Sequence, residues 1–151
     1  MQVWRIFPGR FRDSAFTGIG GLYAARRWNR LGIRMVYTAS SLALAALEFF
    51  VNLEPNEAPG DLLAATAMVP DENVETLRLE ELPRNWRAMN SARCRQIGST
   101  WAESLRSVAL KVPSAAVDGD WNVLLNPQHP DFAKVRIGPV KTFRFDDRMF
   151  R

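Results

Sequence analysis

The chain has 151 residues, of which 47% are hydrophobic and 24% charged, and its nine glycines and nine prolines are spread along it. These values predict one globular domain over residues 1–151 and exclude a disordered or low-complexity chain. A net charge of +4 and a pI near 9.8 favour an anionic partner, such as a nucleic acid, an acidic protein or a phosphate-bearing ligand.

Cysteine, histidine and apolar segments narrow the class further. The single cysteine, Cys94, excludes an intramolecular disulfide, and the single histidine, His129, leaves little material for a zinc site. No signal peptide is visible at the start of the chain. The longest apolar stretch, Leu42 to Val51, is too short to span a bilayer and contains Glu48. We therefore expect a cytoplasmic protein without a membrane segment.

The first part of the chain predicts one strand and a long irregular stretch. Val3 to Ile6 is a short strand, and Pro8 to Arg30 lacks a regular pattern. Gly18, Gly20 and Gly21 lie in this stretch without the spacing or the preceding strand of a dinucleotide fingerprint. A Rossmann site is excluded.

A strand and an apolar helix follow. Met35 to Thr38 predicts the strand, and Ser40 and Ser41 are good N-cap residues for a helix from Leu42 to Leu53. This helix is apolar nearly all the way round, which predicts that it is buried in the core.

The remaining elements alternate between strands and helices. They are a loop from Pro55 to Gly60, a strand from Leu62 to Val69, a turn or short helix from Glu80 to Trp86, a more polar helix from Ser91 to Leu105, a buried strand from Val108 to Val112, a short apolar segment from Asn122 to Asn126, and closing strands from Val135 to Val140 and from Thr142 to Phe145. This order predicts an α+β domain with a central sheet.

Glu48 is the strongest single chemical signal. Its neighbours one helical turn away include Leu44, Val51 and Asn52, so no lysine or arginine pairs with it along the helix. An ionised carboxylate in a dry core is costly without a partner. Either Glu48 faces solvent through a gap in the packing, or it opens into a polar pocket and meets an arginine or a ligand hydroxyl there.

Arg27 and Ser114 are weaker candidates when considered alone. The planar guanidinium of Arg27 suits a phosphate group, although a surface arginine lying over Trp28 is the simpler interpretation. Ser114 follows a strand, where a serine either donates into a cleft or caps a turn. A serine-hydrolase triad is poorly supported, because there is no G-x-S-x-G elbow and His129 is the only candidate base.

Several short stretches match a known family in their residue types and in their order. They are Trp4-Arg5-Ile6, Arg27-Trp28-Asn29, Val36-Tyr37-Thr38-Ala39, Ser41-Leu42-Ala43-Leu44-Ala45-Ala46-Leu47-Glu48, Val112-Pro113-Ser114-Ala115 and Leu124-Leu125-Asn126-Pro127-Gln128-His129-Pro130-Asp131-Phe132. On these residues the chain resembles the RES-domain family, named for an arginine, a glutamate and a serine. Its members are toxins paired with Xre-type antitoxins.

The resemblance implies a fold similar to that of ADP-ribosyltransferases, a twisted α+β core with a cleft for NAD. Family members destroy NAD or transfer ADP-ribose to a protein, so NAD is expected as the substrate and no cofactor is implied. The residues carried over are Arg27, Glu48 and Ser114 as catalytic residues, and Arg5, Trp28, Tyr37 and Asn126 as substrate-binding residues.

The chemistry of NAD suits these residue types. One or two arginines can hold the pyrophosphate through paired hydrogen bonds. Cleavage of the nicotinamide–ribose bond passes through an oxocarbenium-like transition state, which a carboxylate such as Glu48 stabilises. The resemblance assigns Tyr37 to stacking on nicotinamide, and Ser114 to orienting nicotinamide or the ribose.

One departure from the family pattern lies beside Arg27. Ala25 and Arg26 stand where members often carry two glycines, so side chains here narrow the cleft or add a phosphate contact. The expected partner is an Xre-family helix-turn-helix antitoxin, and a homodimer or a larger toxin–antitoxin assembly is compatible with it.

Three alternatives to NAD cleavage by hydrolysis or phosphorolysis remain open at this point. The first is ADP-ribosyl transfer to a protein target. The second is a basic RNA-binding or RNA-cleaving toxin, because Trp28, Trp86 and Trp101 lie near arginine-rich stretches and such pairs suit single strands. The third is an inactive homologue that only binds its antitoxin.

Overall fold

The computed structural model describes residues 1–56 and 59–151. The strands are β1 (Gln2–Pro8), β2 (Val36–Ala39), β3 (Leu62–Met68), β4 (Val74–Thr76), β5 (Ala109–Pro113), β6 (Trp121–Leu125), β7 (Arg136–Ile137) and β8 (Lys141–Phe143), and the α-helices are α1 (Leu42–Val51) and α2 (Ala92–Ser104). Both helices begin after a serine whose hydroxyl accepts a backbone N–H, Ser41 for α1 and Ser91 for α2. The predicted α+β class is confirmed.

The strands form one mixed sheet in the order β4-β5-β6-β2-β1-β3-β7, with β8 also paired to β3. The neighbours are antiparallel except β4 and β5, which are parallel. Strands β1 and β3 pair along seven positions, whereas β1 and β2 pair only at Trp4 and Ala39. The sheet is therefore least tightly joined between β1 and β2, in its middle.

Both helices cover the same face of this sheet. Directly paired residues share a face, so Ala39, Asn122 and Val112 point to one side. On this face, Leu44 of α1 packs in one cluster with Ala39 of β2. Trp101 of α2 packs in another cluster with Val112 of β5. The opposite face buries a separate core. Asn122 lies in the middle, where the two helices approach the sheet from either end.

Three details differ from the sequence prediction. Helix α1 is not buried all round: Leu47 and Val51 are exposed, because only one side of this helix meets the sheet. Strand β4 was not predicted, since its three residues carry little pattern and it is held only at the sheet edge by β5. The closing strands are shorter than predicted, with β7 reduced to two residues.

The predicted loop from Pro55 to Gly60 contains residues 57 and 58, which lie outside the described residues. Within the part of the chain that the structure describes, neither helix combines the length and the apolar character that a membrane span needs.

Candidate active site

Glu48 and Ser114, 66 residues apart in the chain, are hydrogen-bonded to each other. The Ser114 hydroxyl donates to Glu48 Oε1 at 2.7 Å. The same oxygen accepts a second hydrogen bond, at 2.6 Å, from the side-chain amide of Asn122. Among the described residues, no donor from the protein reaches Glu48 Oε2. One oxygen of this carboxylate is thus held in place by the protein, and the other has no protein donor among the described residues.

The protein partners of Glu48 are residues that the sequence did not indicate. Glu48 is half-buried. Its carboxylate accepts hydrogen bonds from a serine hydroxyl and an asparagine amide, and it does not pair with an arginine. Asn122 was missed as a site residue because its contact with Glu48 depends on how β6 is paired within the sheet. A polar residue in an otherwise apolar strand was the available signal.

Ser114 has no hydrogen-bonding capacity left for attack on a substrate. Its oxygen accepts from the backbone N–H groups of Ala116 and Val117, at 3.1 and 3.0 Å, while its proton is donated to Glu48. A hydroxyl has one donor and two acceptor positions, and all three are used. His129 is not its base, because this imidazole accepts from the Asp131 N–H and caps a short helix. The geometry makes Ser114 an orienting group for Glu48.

Arg5 occupies the weak junction between β1 and β2. Its Nη1 donates to the carbonyl of Tyr37 at 2.8 Å, whereas its Nε is buried without a partner. Burial, and to a smaller extent the charge of Arg26, lowers the pKa of Arg5 to about 10. A buried guanidinium that is short of acceptors is an attractive contact for an anion.

Tyr37 is fixed from both sides of its hydroxyl group. The hydroxyl donates to Asn29 Oδ1 at 2.6 Å and accepts from the Trp28 N–H at 3.1 Å. Burial raises the pKa of Tyr37 above its ordinary value, and it does so despite the opposing charges of nearby arginines. Tyr37 therefore stays neutral and links β2 to the Arg27-Trp28-Asn29 segment.

Four arginines without a carboxylate partner lie around Tyr37. The charges of Arg26, Arg27 and Arg95 act on Tyr37, and Arg26 also acts on Arg5. Within residues 1–56 and 59–151, none of the four forms an ion pair. This group of Arg5, Arg26, Arg27 and Arg95, which we call the arginine cluster, places positive charge around Tyr37.

Arg27 is anchored to the segment that precedes α2 in the chain. Its Nη1 donates to the carbonyls of Trp86 and Ala88 at 2.8 and 3.1 Å. The guanidinium lies 6.0 Å from the ring centroid of Trp86 rather than over Trp28. Its Nε and Nη2 have no hydrogen-bond partner among the described residues.

A cleft of about 340 Å³ adjoins Ser114. Ser114, Trp86 and Arg87 are among the residues that line it. Arg87 forms an ion pair with Asp118, another lining residue, at 2.6 Å, and its guanidinium lies 4.7 Å from the Trp86 ring centroid. Ser114 thus connects this cleft to the Glu48 carboxylate.

Trp28 and Asn126 lie inside the structure and hydrogen-bond with neither Glu48 nor Ser114. Trp28 is buried and packs beside Trp86, with ring centroids 6.4 Å apart. Asn126 is also buried, and its side chain bonds to the backbone of Ala102 and Gln128. Both positions hold elements together around the site, and their assignment to the substrate stays a prediction.

The tryptophans on which the RNA-binding alternative relied are not available to bases. Trp28, Trp86 and Trp101 are each less than a tenth exposed. Stacking on a nucleic-acid base requires an open ring face. That part of the RNA hypothesis is wrong, because the three rings build the core under α2 instead.

Comparison with known proteins identifies the family. The model of the RES domain matches residues 2–146. The chain belongs to the RES-domain family. Two relatives cover nearly its whole length. Toxin Res of Photorhabdus laumondii is 34% identical over 154 residues, covering 100% of this chain and 98% of the relative. The Prs ADP-ribosylating toxin of a Sphingobium species is 36% identical over 156 residues, covering 99% and 97%.

A solved structure shares the fold of this RES domain. It is the crystal structure of the MbcT–MbcA toxin–antitoxin complex of M. tuberculosis, with a TM-score of 0.70 and 17% sequence identity. The match covers 94% of this chain and 83% of the other. The family that the sequence motifs indicated is thereby confirmed in sequence, and its fold is confirmed in structure.

Proposed function

We propose that this RES domain is the toxin of a toxin–antitoxin pair and that it cleaves the bond between nicotinamide and ribose in NAD. The observation that carries the proposal is the Glu48 carboxylate, which receives two protein donors on Oε1 and none on Oε2. The proposal is supported by two relatives whose names are Toxin Res and ADP-ribosylating toxin.

Glu48 supplies the stabilising charge. As the nicotinamide leaves, positive charge develops on the ribose ring. A carboxylate beside the ring accepts a ribose hydroxyl hydrogen bond and lowers the free energy of that cation. Since Oε1 is occupied by Ser114 and Asn122, Oε2 is the atom that performs both tasks.

The arginine cluster supplies the binding site for the pyrophosphate. Arg5 has a buried N–H without a partner, and Arg27 keeps donors that its backbone contacts do not use. Each guanidinium forms paired hydrogen bonds with phosphate oxygens more readily than with isolated carbonyls. We assign Tyr37, held between Asn29 and Trp28, to the nicotinamide end of the substrate.

The group that accepts the ribose distinguishes three reactions. Water gives hydrolysis, inorganic phosphate gives phosphorolysis, and a protein side chain gives ADP-ribosyl transfer. The last is the second candidate, favoured by the relative named an ADP-ribosylating toxin. Incubating the purified protein with NAD, with and without phosphate and with a cell lysate, separates the three by their products.

Glu48→Gln tests the proposed role directly. The amide keeps the size of the side chain but removes the charge, so we expect NAD consumption to fall by roughly 100-fold or more. Glu103→Gln is the matched control, because Glu103 forms an exposed ion pair with Arg30 outside this site. Full turnover by Glu48→Gln removes Glu48 from the reaction. If the folded wild-type protein neither consumes NAD nor labels a protein, the proposal that it is an enzyme acting on NAD is contradicted.

The proposed partner is an Xre-family helix-turn-helix antitoxin. A structure that shares this fold has been solved as a toxin–antitoxin complex, which supports an antitoxin partner here. The unpaired arginine cluster suits an acidic segment of that partner. Expression of the chain should stop growth, and co-expression of a helix-turn-helix protein encoded beside it should restore growth.

A further inference from the structure

We propose that Asn122 is a positioning residue that fixes the Glu48 carboxylate, so that Oε1 is immobilised and Oε2 is kept free for the ribose. This inference rests on the proposed role of Glu48. It concerns a residue that belongs to neither the catalytic nor the substrate-binding set derived above.

The sheet places Asn122 rigidly. It lies in β6, directly opposite Ala39 of β2 on one side and Val112 of β5 on the other. Both neighbours are buried apolar residues, so an apolar side chain would satisfy this position in the sheet. The amide instead reaches Glu48 Oε1 at 2.6 Å.

The asparagine is poorly satisfied apart from this contact. Its Oδ1 is buried and has no hydrogen-bond partner. Turning the amide over would place Oδ1 against a carboxylate oxygen, which repels it, so Glu48 dictates the orientation that leaves Oδ1 unpaired. A buried acceptor without a donor is costly and calls for a functional explanation. Holding the carboxylate is that explanation.

Two anchors from different parts of the chain are needed to fix a glutamate. Its side chain has several rotatable bonds, and Ser114 alone would leave the carboxylate free to turn about one contact. Asn122 adds a second donor to the same oxygen from a central strand. Since small displacements of a catalytic group reduce the rate strongly, this second contact acts on turnover rather than on substrate affinity.

Asn122→Asp is the discriminating variant, because it keeps the shape but replaces the donor with a carboxylate. We expect kcat for NAD cleavage to fall by about 10- to 100-fold, while KM changes by less than about threefold. Asn122→Ala, compared at equal folded fraction, should also lower kcat. The matched control is Asn52→Ala: the Asn52 amide contacts the main-chain oxygen of Glu48 rather than its carboxylate, so kcat should stay within about twofold.

The outcomes separate the possible roles. Unchanged kcat in both Asn122 variants overturns the proposal. A raised KM with unchanged kcat makes Asn122 a substrate-binding residue and also overturns it. If Asn122→Asp does not fold, Asn122→Ala decides between these results.

A spectroscopic measurement tests the contact without any turnover. The side-chain NH₂ resonances of Asn122 in the NMR spectrum should shift clearly in Glu48→Gln and stay unchanged in Glu103→Gln. If the Asn122 resonances do not shift in Glu48→Gln, the contact between Asn122 and Glu48 is contradicted. If the Asn122 resonances do shift in Glu48→Gln but the wild-type protein leaves NAD intact, the contact stands and the proposed reaction is contradicted.

Discussion

At the scale of single residues, the site holds two charged groups that are compensated in different ways. The Glu48 carboxylate receives neutral donors from Ser114 and Asn122. Arg5 has one backbone acceptor, Tyr37, and an Nε without any. Glu48 is therefore stabilised within the free protein, whereas Arg5 carries a desolvation cost that an anionic ligand would relieve.

Arg5→Met should make the free protein more stable and inactive. Because burial lowers the pKa of Arg5 from its ordinary value to about 10, the charged form costs more in the folded than in the unfolded protein. That cost is present in full at pH 7 and falls only as the pH rises above about 10. Removing the charge outweighs the lost bond to the Tyr37 carbonyl, so we expect a gain of about 1 kcal/mol.

Thermal unfolding at pH 7 measures this change. A gain of that size corresponds to roughly 2–4 °C in Tm for a chain of this length. Arg5→Lys keeps a positive charge and should show no gain, which makes it the control. A lower Tm for Arg5→Met than for the wild type would mean that the hydrogen bond to Tyr37 matters more than the buried charge.

At the scale of elements, the close approach of α2 to the segment before β2 positions the arginine cluster. Gly98 of α2 faces the backbone of Trp28, and a Cβ at Gly98 would collide with the Trp28 carbonyl oxygen. Ser99, the next residue, adds a second contact, since its hydroxyl accepts the Arg30 N–H at 2.9 Å. Helix and segment are thus locked together on both sides of Asn29.

Gly98→Ala should separate these two elements. The added methyl group forces α2 away from Trp28, so we expect a loss of about 1–3 kcal/mol in the free energy of unfolding. NAD turnover should also fall, because Arg27 moves with Trp28. Gly20→Ala is the control, since nothing lies within 4 Å of its added Cβ. Equal urea midpoints for the two variants would contradict the close packing of α2.

At the scale of the whole molecule, the arginines differ in whether they have an acidic partner. The arginines that form ion pairs, Arg30, Arg87, Arg106 and Arg148, do so at exposed positions, where such pairs contribute little stability. The arginine cluster has no acidic partner among the described residues, so its positive charge is not neutralised within the free protein.

ADP, which carries a diphosphate but no nicotinamide, should stabilise the folded protein. A ligand at 100 times its Kd adds about 2.7 kcal/mol, or roughly 5–10 °C in Tm for a chain of this length. The shift should shrink as NaCl is raised and in Arg27→Ala, because the attraction is electrostatic. Adenosine, which lacks phosphate, is the control. An equal shift in Tm with adenosine would mean that binding depends on contacts with the nucleoside rather than on contacts between the phosphates and the arginine cluster.

The sequence by itself determined the features that depend on neighbouring residues. Ser40 and Ser41 predicted where α1 begins, and the order of apolar segments predicted the α+β class. Glu48 was conspicuous because its own helix offers it no cation. The short motifs were sufficient to indicate the family, since their residue types and order survive in the one-dimensional chain.

Only the tertiary structure decided which atoms meet. Asn122 lies 74 residues from Glu48, and its contact exists because β6 pairs between β2 and β5 in one register, which no local pattern specifies. The same holds for the exposure of α1, which depends on what packs against each of its sides. Hydrogen bonds between remote residues follow strand order and register, and these are set by the burial of the whole sheet rather than by any single segment.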